Sequence, residues 1–143
     1  MIEVKDITKS FDGRTVLHEV SATFATGKTN LIIGQSGSGK TVLMKSLVGL
    51  LTPESGEILF DGRDVISMDQ QQRKDLRQEI GMLFQGSALF DSETVLGNVM
   101  FPLVMFTSKS QAEIRERAMF CLERVNLLGA ENKYPSEISG GMQ

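Results

Sequence analysis

The stretch Gly34-Gln35-Ser36-Gly37-Ser38-Gly39-Lys40-Thr41 matches the pattern G-x-x-x-x-G-K-[ST], in which backbone N–H groups surround a phosphate. An apolar run at 31–33 predicts a buried strand before it, and residues 42–48 predict a helix after it. Glycines let the backbone approach a ligand closely, and the helix start adds its positive dipole end. Lys40 is placed to reach the outer phosphates, and the Thr41 hydroxyl to hold Mg²⁺. This order favours a phosphate-binding loop in an α/β core over an ordinary glycine-rich surface loop.

Composition and charge narrow the classes of protein. A chain of 143 residues is typical of one domain and can bury a sizeable core. With 15 basic and 18 acidic residues it lacks the basic excess of nucleic-acid binders, so no nucleic-acid partner is expected. The sequence shows neither a secretory signal pattern nor an apolar run near 18 residues. We therefore expect a soluble, cytoplasmic protein, which does not exclude a position on a membrane protein.

Cysteine and histidine each occur once, and neither residue predicts a reactive centre. Cys121 excludes an internal disulfide framework, and its place among apolar residues predicts a small core side chain rather than a reactive thiol. His18 has no second ligand or partner in the pattern around it, so we expect an exposed strand residue without a catalytic role.

The first part of the chain is rich in strand signals. Alternating apolar residues predict strands within 2–24, interrupted by a turn at Phe11–Arg14. A further strand is predicted at Glu57–Phe60, followed by a hairpin turn at Asp61-Gly62 and a return strand at Val65-Ile66. These signals indicate a small antiparallel sheet beside the phosphate loop.

Helical signals follow. The helix after the loop is expected to reach Gly49–Leu51, and an exposed helix is expected over 67–77 with Ser67 near its cap. A buried strand is predicted at Ile80–Phe84. Thr94 is expected to cap a helix that Pro102 kinks or ends. Ser110–Glu113 forms the capping-box pattern of another helix, whose apolar face consists of Ile114, Ala118, Cys121, Leu122 and Val125.

Three further stretches stand in register with the phosphate loop: an aromatic residue shortly before it, a glutamine after a predicted strand, and Ile138-Ser139-Gly140-Gly141-Met142-Gln143. In this order the chain resembles, over all 143 residues, the ATPase subunit of ATP-binding-cassette (ABC) transporters. The resemblance implies an α/β P-loop NTPase core with an N-terminal antiparallel β subdomain and a helical subdomain. It divides the chain into 1–87, the β subdomain with the P-loop core, and 88–143, the helical subdomain up to the signature motif.

The resemblance also implies roles for individual residues. Phe11 would stack on adenine and Val16 would pack near the ribose. Gln85 would be the Q-loop glutamine, which helps Thr41 to hold Mg²⁺ and links the site to a transmembrane partner. The nucleotide-binding residues would be Phe11, Val16, Gly34, Gln35, Ser36, Gly37, Ser38, Gly39, Lys40 and Thr41. The signature, which acts across a dimer, would be Ser139, Gly140, Gly141 and Gln143.

A narrower resemblance covers 81–92 and 98–103. These segments look like the ATPase of the Mla-type, mammalian-cell-entry-associated phospholipid transporters of double-membraned bacteria, and Met142 in the signature fits that group too. The resemblance implies ATP and Mg²⁺ as cofactors, a homodimer or pseudo-dimer of ATPase subunits, and transmembrane permease partners. The expected location is cytoplasmic and peripheral on the inner membrane.

The sequence departs from the family pattern after the signature. No residue matches the Walker B aspartate, the glutamate that polarises water, or the switch histidine, so no catalytic base is assigned. We therefore expect an N-terminal, C-terminally truncated portion of a longer ATPase, with little turnover of its own. Alternatives are a nucleotide-binding assembly module, an ABC ATPase for another substrate, and a small-molecule kinase, which Gln85 and the signature disfavour.

Overall fold

In the computed structural model, residues 1–84, 86 and 88–143 are described, and they form two compact units, Met1–Gly81 and Met82–Gln143. The first unit carries four strands and two helices: β1 Ile2–Phe11, β2 Arg14–Phe24, α1 Lys40–Leu47, β3 Ser55–Phe60, β4 Arg63–Asp64 and α2 Gln70–Glu79. The second carries α3 Val95–Phe106, α4 Gln111–Arg124 and a 3₁₀ turn at Pro135–Glu137. This combination of strands and helices agrees with the predicted α/β class.

The sheet of the first unit is antiparallel throughout, in the order β2-β1-β3-β4. Both tight turns place an aspartate and a glycine at positive φ, as a two-residue hairpin requires. These are Asp12-Gly13 between β1 and β2, and Asp61-Gly62 between β3 and β4. Gly56 allows close strand contact, since a Cβ there would lie 2.5 Å from the carbonyl oxygen of Lys5. The turns predicted at 11–14 and 61–62 are confirmed.

One face of this sheet packs on α1 and α2. The apolar residues of β2 predicted to share a face, Val20, Ala22 and Phe24, are all partly buried, and His18 is exposed as expected. Burying such side chains is the main favourable term in folding. The fully buried cluster consists of Val4, Ile7, Leu17, Leu43, Leu47, Ile58, Val65 and Leu76.

Three strand predictions are wrong. Leu31 and Ile33 are each 82% exposed and lie in irregular backbone, as do residues 80–84, where Leu83 is 87% exposed. An apolar run becomes a strand only when another strand takes its backbone hydrogen bonds, and no described strand pairs with either run. Val65 is a core residue rather than part of a return strand, because β4 ends at Asp64.

The helix boundaries also differ from the sequence predictions. α1 ends at Leu47, before the predicted 49–51. The cap of α2 is Asp69 rather than Ser67, because Asp69 and Gln72 satisfy each other's backbone N–H groups in a capping box. α3 continues through Pro102 to Phe106. Pro102 cannot donate a backbone hydrogen bond, but the helix continues on both sides of it.

The second unit is a helical pair closed by a loop. Thr94 caps α3 through its hydroxyl, which accepts from the Gly97 N–H, and Ser110 with Glu113 forms the predicted capping box of α4. Of the predicted apolar face, Val125 lies beyond the helix and is exposed, and Cys121 is half-buried rather than core. The buried residues between the helices are Val95, Leu96, Ala118 and Leu122. In the described part of the chain, no helix is both long and apolar enough to cross a membrane.

A bidentate ion pair joins the β3–β4 hairpin to α2, and it predicts a pH dependence of stability. Arg63 donates to both carboxylate oxygens of Glu79, at 2.9 and 2.7 Å, and these bonds lower the pKa of Glu79 below its ordinary value of 4.5. A carboxyl with a lowered folded-state pKa stabilises the fold above its unfolded-state pKa and loses that effect as pH falls. We expect Glu79→Gln to reduce the free energy of unfolding near neutral pH, with the difference shrinking below about pH 4.5.

Urea unfolding of the chain between pH 3 and 7 measures this effect. The matched control is Glu3→Gln on β1, since Glu3 forms no ion pair with any residue the structure describes. A Glu79→Gln effect as large in acid as at neutral pH would contradict the account.

Candidate nucleotide-binding site

The loop before α1 contains two glycines with left-handed backbone. Gly37 and Gly39 have φ of 80° and 92°, in the left-handed region that favours glycine. Gly39 is the N-cap of α1, and its carbonyl accepts the first helical bond from the Leu43 N–H at 2.8 Å. The N–H groups of Lys40 and Thr41 belong to the first turn, where no intrahelical acceptor exists. They are free to donate to an anion at the positive end of the helix.

Lys40 lies across this loop. Its Nζ donates to the carbonyl oxygens of Gly34 and Gln35, each at 2.7 Å, so the side chain folds back toward the loop that precedes its own helix. The Ser38 N–H donates to the Gln35 carbonyl at 3.2 Å and closes the turn. The ammonium group of Lys40 therefore lies against backbone atoms of the loop, where it would contact a phosphate bound to the loop. The hydroxyl of Thr41 lies at the exposed start of α1.

The first hairpin contacts the loop directly. A Cβ at Gly39 would lie 3.1 Å from both Cγ1 and the carbonyl oxygen of Val16, and 3.0 Å from Cδ2 of Leu17. The structure thus places Val16 beside Gly39; that Val16 packs near a ribose, as the sequence resemblance implies, stays a prediction. Phe11 ends the other strand of the same hairpin and is 41% exposed, which leaves ring surface free for a stacking partner.

A cation over the Phe11 ring and the ion-pair partner of that cation were not predicted from the sequence. The Nζ of Lys9 lies 5.3 Å from the centre of the Phe11 ring, and it is paired with Glu54 at 2.7 Å. The position of Lys9 could have been predicted, because it lies two residues before Phe11 and side chains two residues apart on a strand point to the same face. The partner Glu54, just before β3, had no local signal because it reaches Lys9 only through the pairing of β1 with β3.

The signature residues lie in the second unit. The segment from Ser139 forms a turn, in which the Ser139 carbonyl accepts from the N–H groups of Met142 and Gln143 at 2.8 and 3.2 Å. The Gln143 amide donates to the Pro135 carbonyl at 2.6 Å. Ser139, Gly140 and Gly141 form the start of this segment; the two glycines are exposed, whereas Ile138 packs on the buried cluster of the unit. The predicted Q-loop residue Gln85 lies outside the described residues.

A cavity of about 300 Å³ adjoins this segment. It is mostly apolar and lies beside α3 and α4 within the second unit. Cys121 contributes to its wall, which explains why the thiol is half-buried rather than core. Its lining includes Val99, Cys121, Leu122, Ile138, Met142 and Gln143.

Comparison with known proteins defines the family. The ABC transporter family model matches residues 17–143. This chain therefore belongs to the ABC transporter ATPase family, whose members hydrolyse ATP. The resemblance predicted from the phosphate loop and the signature is confirmed.

Curated relatives carry two kinds of name. The probable ribonucleotide transport ATP-binding protein mkl of Mycobacterium leprae is 44% identical over 99% of this chain and 41% of the relative. The intermembrane phospholipid transport system ATP-binding protein MlaF of Haemophilus influenzae is 41% identical over 99% of this chain and 54% of the relative. The chain thus spans about half the length of these relatives, and the predicted likeness to Mla-type ATPases is confirmed.

Solved structures agree with the fold. The dimeric ATP-binding cassette MJ0796 in a post-hydrolysis state bound to ADP and Pi matches with a TM-score of 0.88 and 30% identity, over 99% of this chain and 65% of that chain. A second dimeric structure of MJ0796 matches with a TM-score of 0.89 and 31% identity, over the same shares. The predicted P-loop NTPase fold of the ABC type is confirmed, and the chain is shorter than the matched cassettes.

The contact between Gly39 and the hairpin predicts that two loop glycines differ in their tolerance of a side chain. Both have positive φ, but a Cβ at Gly37 meets nothing within 4 Å, whereas one at Gly39 meets the backbone of Val16. We expect Gly37→Ala to lower the free energy of unfolding by about 1–2 kcal/mol, from backbone strain alone. Gly39→Ala adds steric overlap and should cost about 2–5 kcal/mol.

Urea unfolding of both variants tests this difference. Equal losses would show that the hairpin does not press on the loop at Gly39.

Proposed function

We propose that this chain is the nucleotide-binding part of an ABC transporter subunit that couples ATP binding and hydrolysis to transport. The observation that carries the proposal is the loop geometry. Left-handed glycines, free N–H groups at the start of α1 and the Lys40 ammonium converge on one place. Such a place suits the β- and γ-phosphates of a nucleotide. The matched cassette that is bound to ADP and Pi supports the same ligand class.

Different residues of the site would bind different parts of the nucleotide. The loop from Gly34 to Thr41 would hold the phosphates, Val16 would pack beside the ribose, and Phe11 would stack on the base. Lys40 would exchange its two carbonyl partners for phosphate oxygens, because charge-assisted bonds to phosphate are stronger than bonds to neutral carbonyls. Oxygen ligands suit Mg²⁺, which neutralises phosphate charge when bound, and Thr41 with Gln85 would supply the protein's share.

Assembly completes the proposed mechanism. Ser139, Gly140, Gly141 and Gln143 would close over the nucleotide of a second ATPase subunit, and exposure of the two glycines leaves their backbone accessible to it. The dimer would work beneath transmembrane permease subunits, at the cytoplasmic face of the inner membrane. The dimeric cassettes that match this chain and the transport names of its relatives support this arrangement.

Phospholipid is the substrate we propose. Two relatives differ here, since one name specifies ribonucleotide transport and the other phospholipid transport. The segments 81–92 and 98–103, which resemble the phospholipid group, favour the lipid. ATP hydrolysis by the complete transport complex in lipid-free detergent should rise with added phospholipid and not with an added ribonucleotide other than ATP. Stimulation by ribonucleotide alone would reject the lipid assignment.

Lys40 provides the direct test of nucleotide binding. Lys40→Met removes the charge but keeps an unbranched side chain, and loss of a charge-assisted bond is worth about 1.5–3 kcal/mol. We therefore expect Mg-ATP to bind about 10- to 150-fold more weakly by calorimetry. Lys45→Met, further along α1, is the matched control and should leave binding unchanged. Equal binding by Lys40→Met and the unsubstituted chain would contradict the proposal.

Hydrolysis by the 143 residues alone should be slow. No residue in them matches the carboxylates that position the metal and the attacking water in the family, and electrostatic stabilisation dominates phosphoryl transfer. We expect Mg-ATP binding with little phosphate release, which is also the behaviour of the alternative, a binding module without turnover. Rapid release that disappears in Lys40→Met would show that these residues suffice for catalysis.

A further inference from the structure

The ion pair between Lys9 and Glu54 is placed unlike the other ion pairs of the sheet. Nζ of Lys9 lies 2.7 Å from Glu54 Oε1, and the Lys9 side chain is only 16% exposed. The other carboxylate oxygen of Glu54 accepts from the Ser10 N–H at 2.8 Å. The N–H of Glu54 in turn donates to the Thr8 carbonyl at 2.9 Å. Glu54 therefore bonds to three consecutive residues of β1, which lie directly before Phe11.

The ammonium group of Lys9 lies over the aromatic ring of Phe11. Nζ of Lys9 is 5.3 Å from the centre of the Phe11 ring, a distance at which a cation is attracted to the ring. The Lys9 hydrogen bond lowers the pKa of Glu54 below its ordinary 4.5, so the carboxylate stays charged at neutral pH.

An exposed phenylalanine at a strand end can adopt several rotamers, and only some of them present the ring face to a base. A fixed cation against the ring favours one of them, which reduces the ordering cost of binding. We propose that Lys9 and Glu54 are positioning residues that hold the Phe11 ring for stacking on the adenine of a bound nucleotide. This inference rests on the proposed function.

A neighbouring ion pair separates this role from ordinary stabilisation of the sheet. Lys5 and Glu57 also join β1 to β3, at the same N···O distance of 2.7 Å. Lys5 is 55% exposed, and among the described residues it forms no cation–ring contact. Lys5→Met therefore removes an equivalent cross-strand charge pair without touching Phe11, and it serves as the matched control for Lys9→Met.

The experiment compares two ligands that share phosphates and differ in the base. Calorimetry with Mg²⁺ measures the affinity of the chain and its variants for ATP and for inorganic tripolyphosphate. Lys9→Met should weaken ATP binding about three- to fivefold and leave tripolyphosphate binding unchanged, because only ATP uses the ring. Glu54→Gln should act in the same direction, Lys9→Arg should restore ATP binding, and Lys5→Met should change neither ligand.

The outcomes separate this inference from the proposed function. Unchanged ATP affinity in both Lys9→Met and Glu54→Gln would overturn the positioning role and leave the phosphate site standing. Parallel loss of ATP and tripolyphosphate would also overturn it, since that pattern indicates damage to the fold. Failure of the unsubstituted chain to bind either ligand would reject the proposed function and this inference with it.

Discussion

The contact of Gly39 with the first hairpin is the constraint on which the site depends. Gly39 has left-handed backbone at the start of α1, and a Cβ there would lie 3.0 Å from Leu17 and 3.1 Å from Val16. Leu17 is at the same time part of the buried cluster beneath the sheet. One residue therefore links the start of the helix, the phosphate loop and the hairpin that carries Phe11.

Charge has a different role from the apolar core in this unit. The Lys5–Glu57 and Arg63–Glu79 pairs are exposed on both sides, and exposed ion pairs make only small contributions to stability. The buried cluster supplies most of the favourable free energy instead. The Lys9–Glu54 pair differs from these pairs in its position. Its lysine side chain is mostly buried, and the ammonium group lies over the Phe11 ring.

Features with local causes were predictable from the sequence. The turns at Asp12-Gly13 and Asp61-Gly62 and the cap at Ser110 depend on residues only a few positions apart, and they formed as expected. The runs around Ile33 and Leu83 did not become strands, since a strand depends on a partner that its own residues do not specify. Asp69 shows a missed local signal, because its pairing with Gln72 was visible in the sequence. The left-handed backbone of Gly37 and Gly39 was predictable for the same local reason, whereas the contact of Glu54 with β1 required knowledge of strand pairing.

We propose that the first hairpin and the loop before α1 form one adenine-nucleotide site. A crystal structure of the chain with Mg²⁺ and a non-hydrolysable ATP analogue tests this proposal. We expect phosphate oxygens within hydrogen-bond distance of the Lys40 and Thr41 N–H groups, with the base stacked on the Phe11 ring. Phosphates bound elsewhere, or a base that lies away from Phe11 while the phosphates occupy the loop, would contradict it.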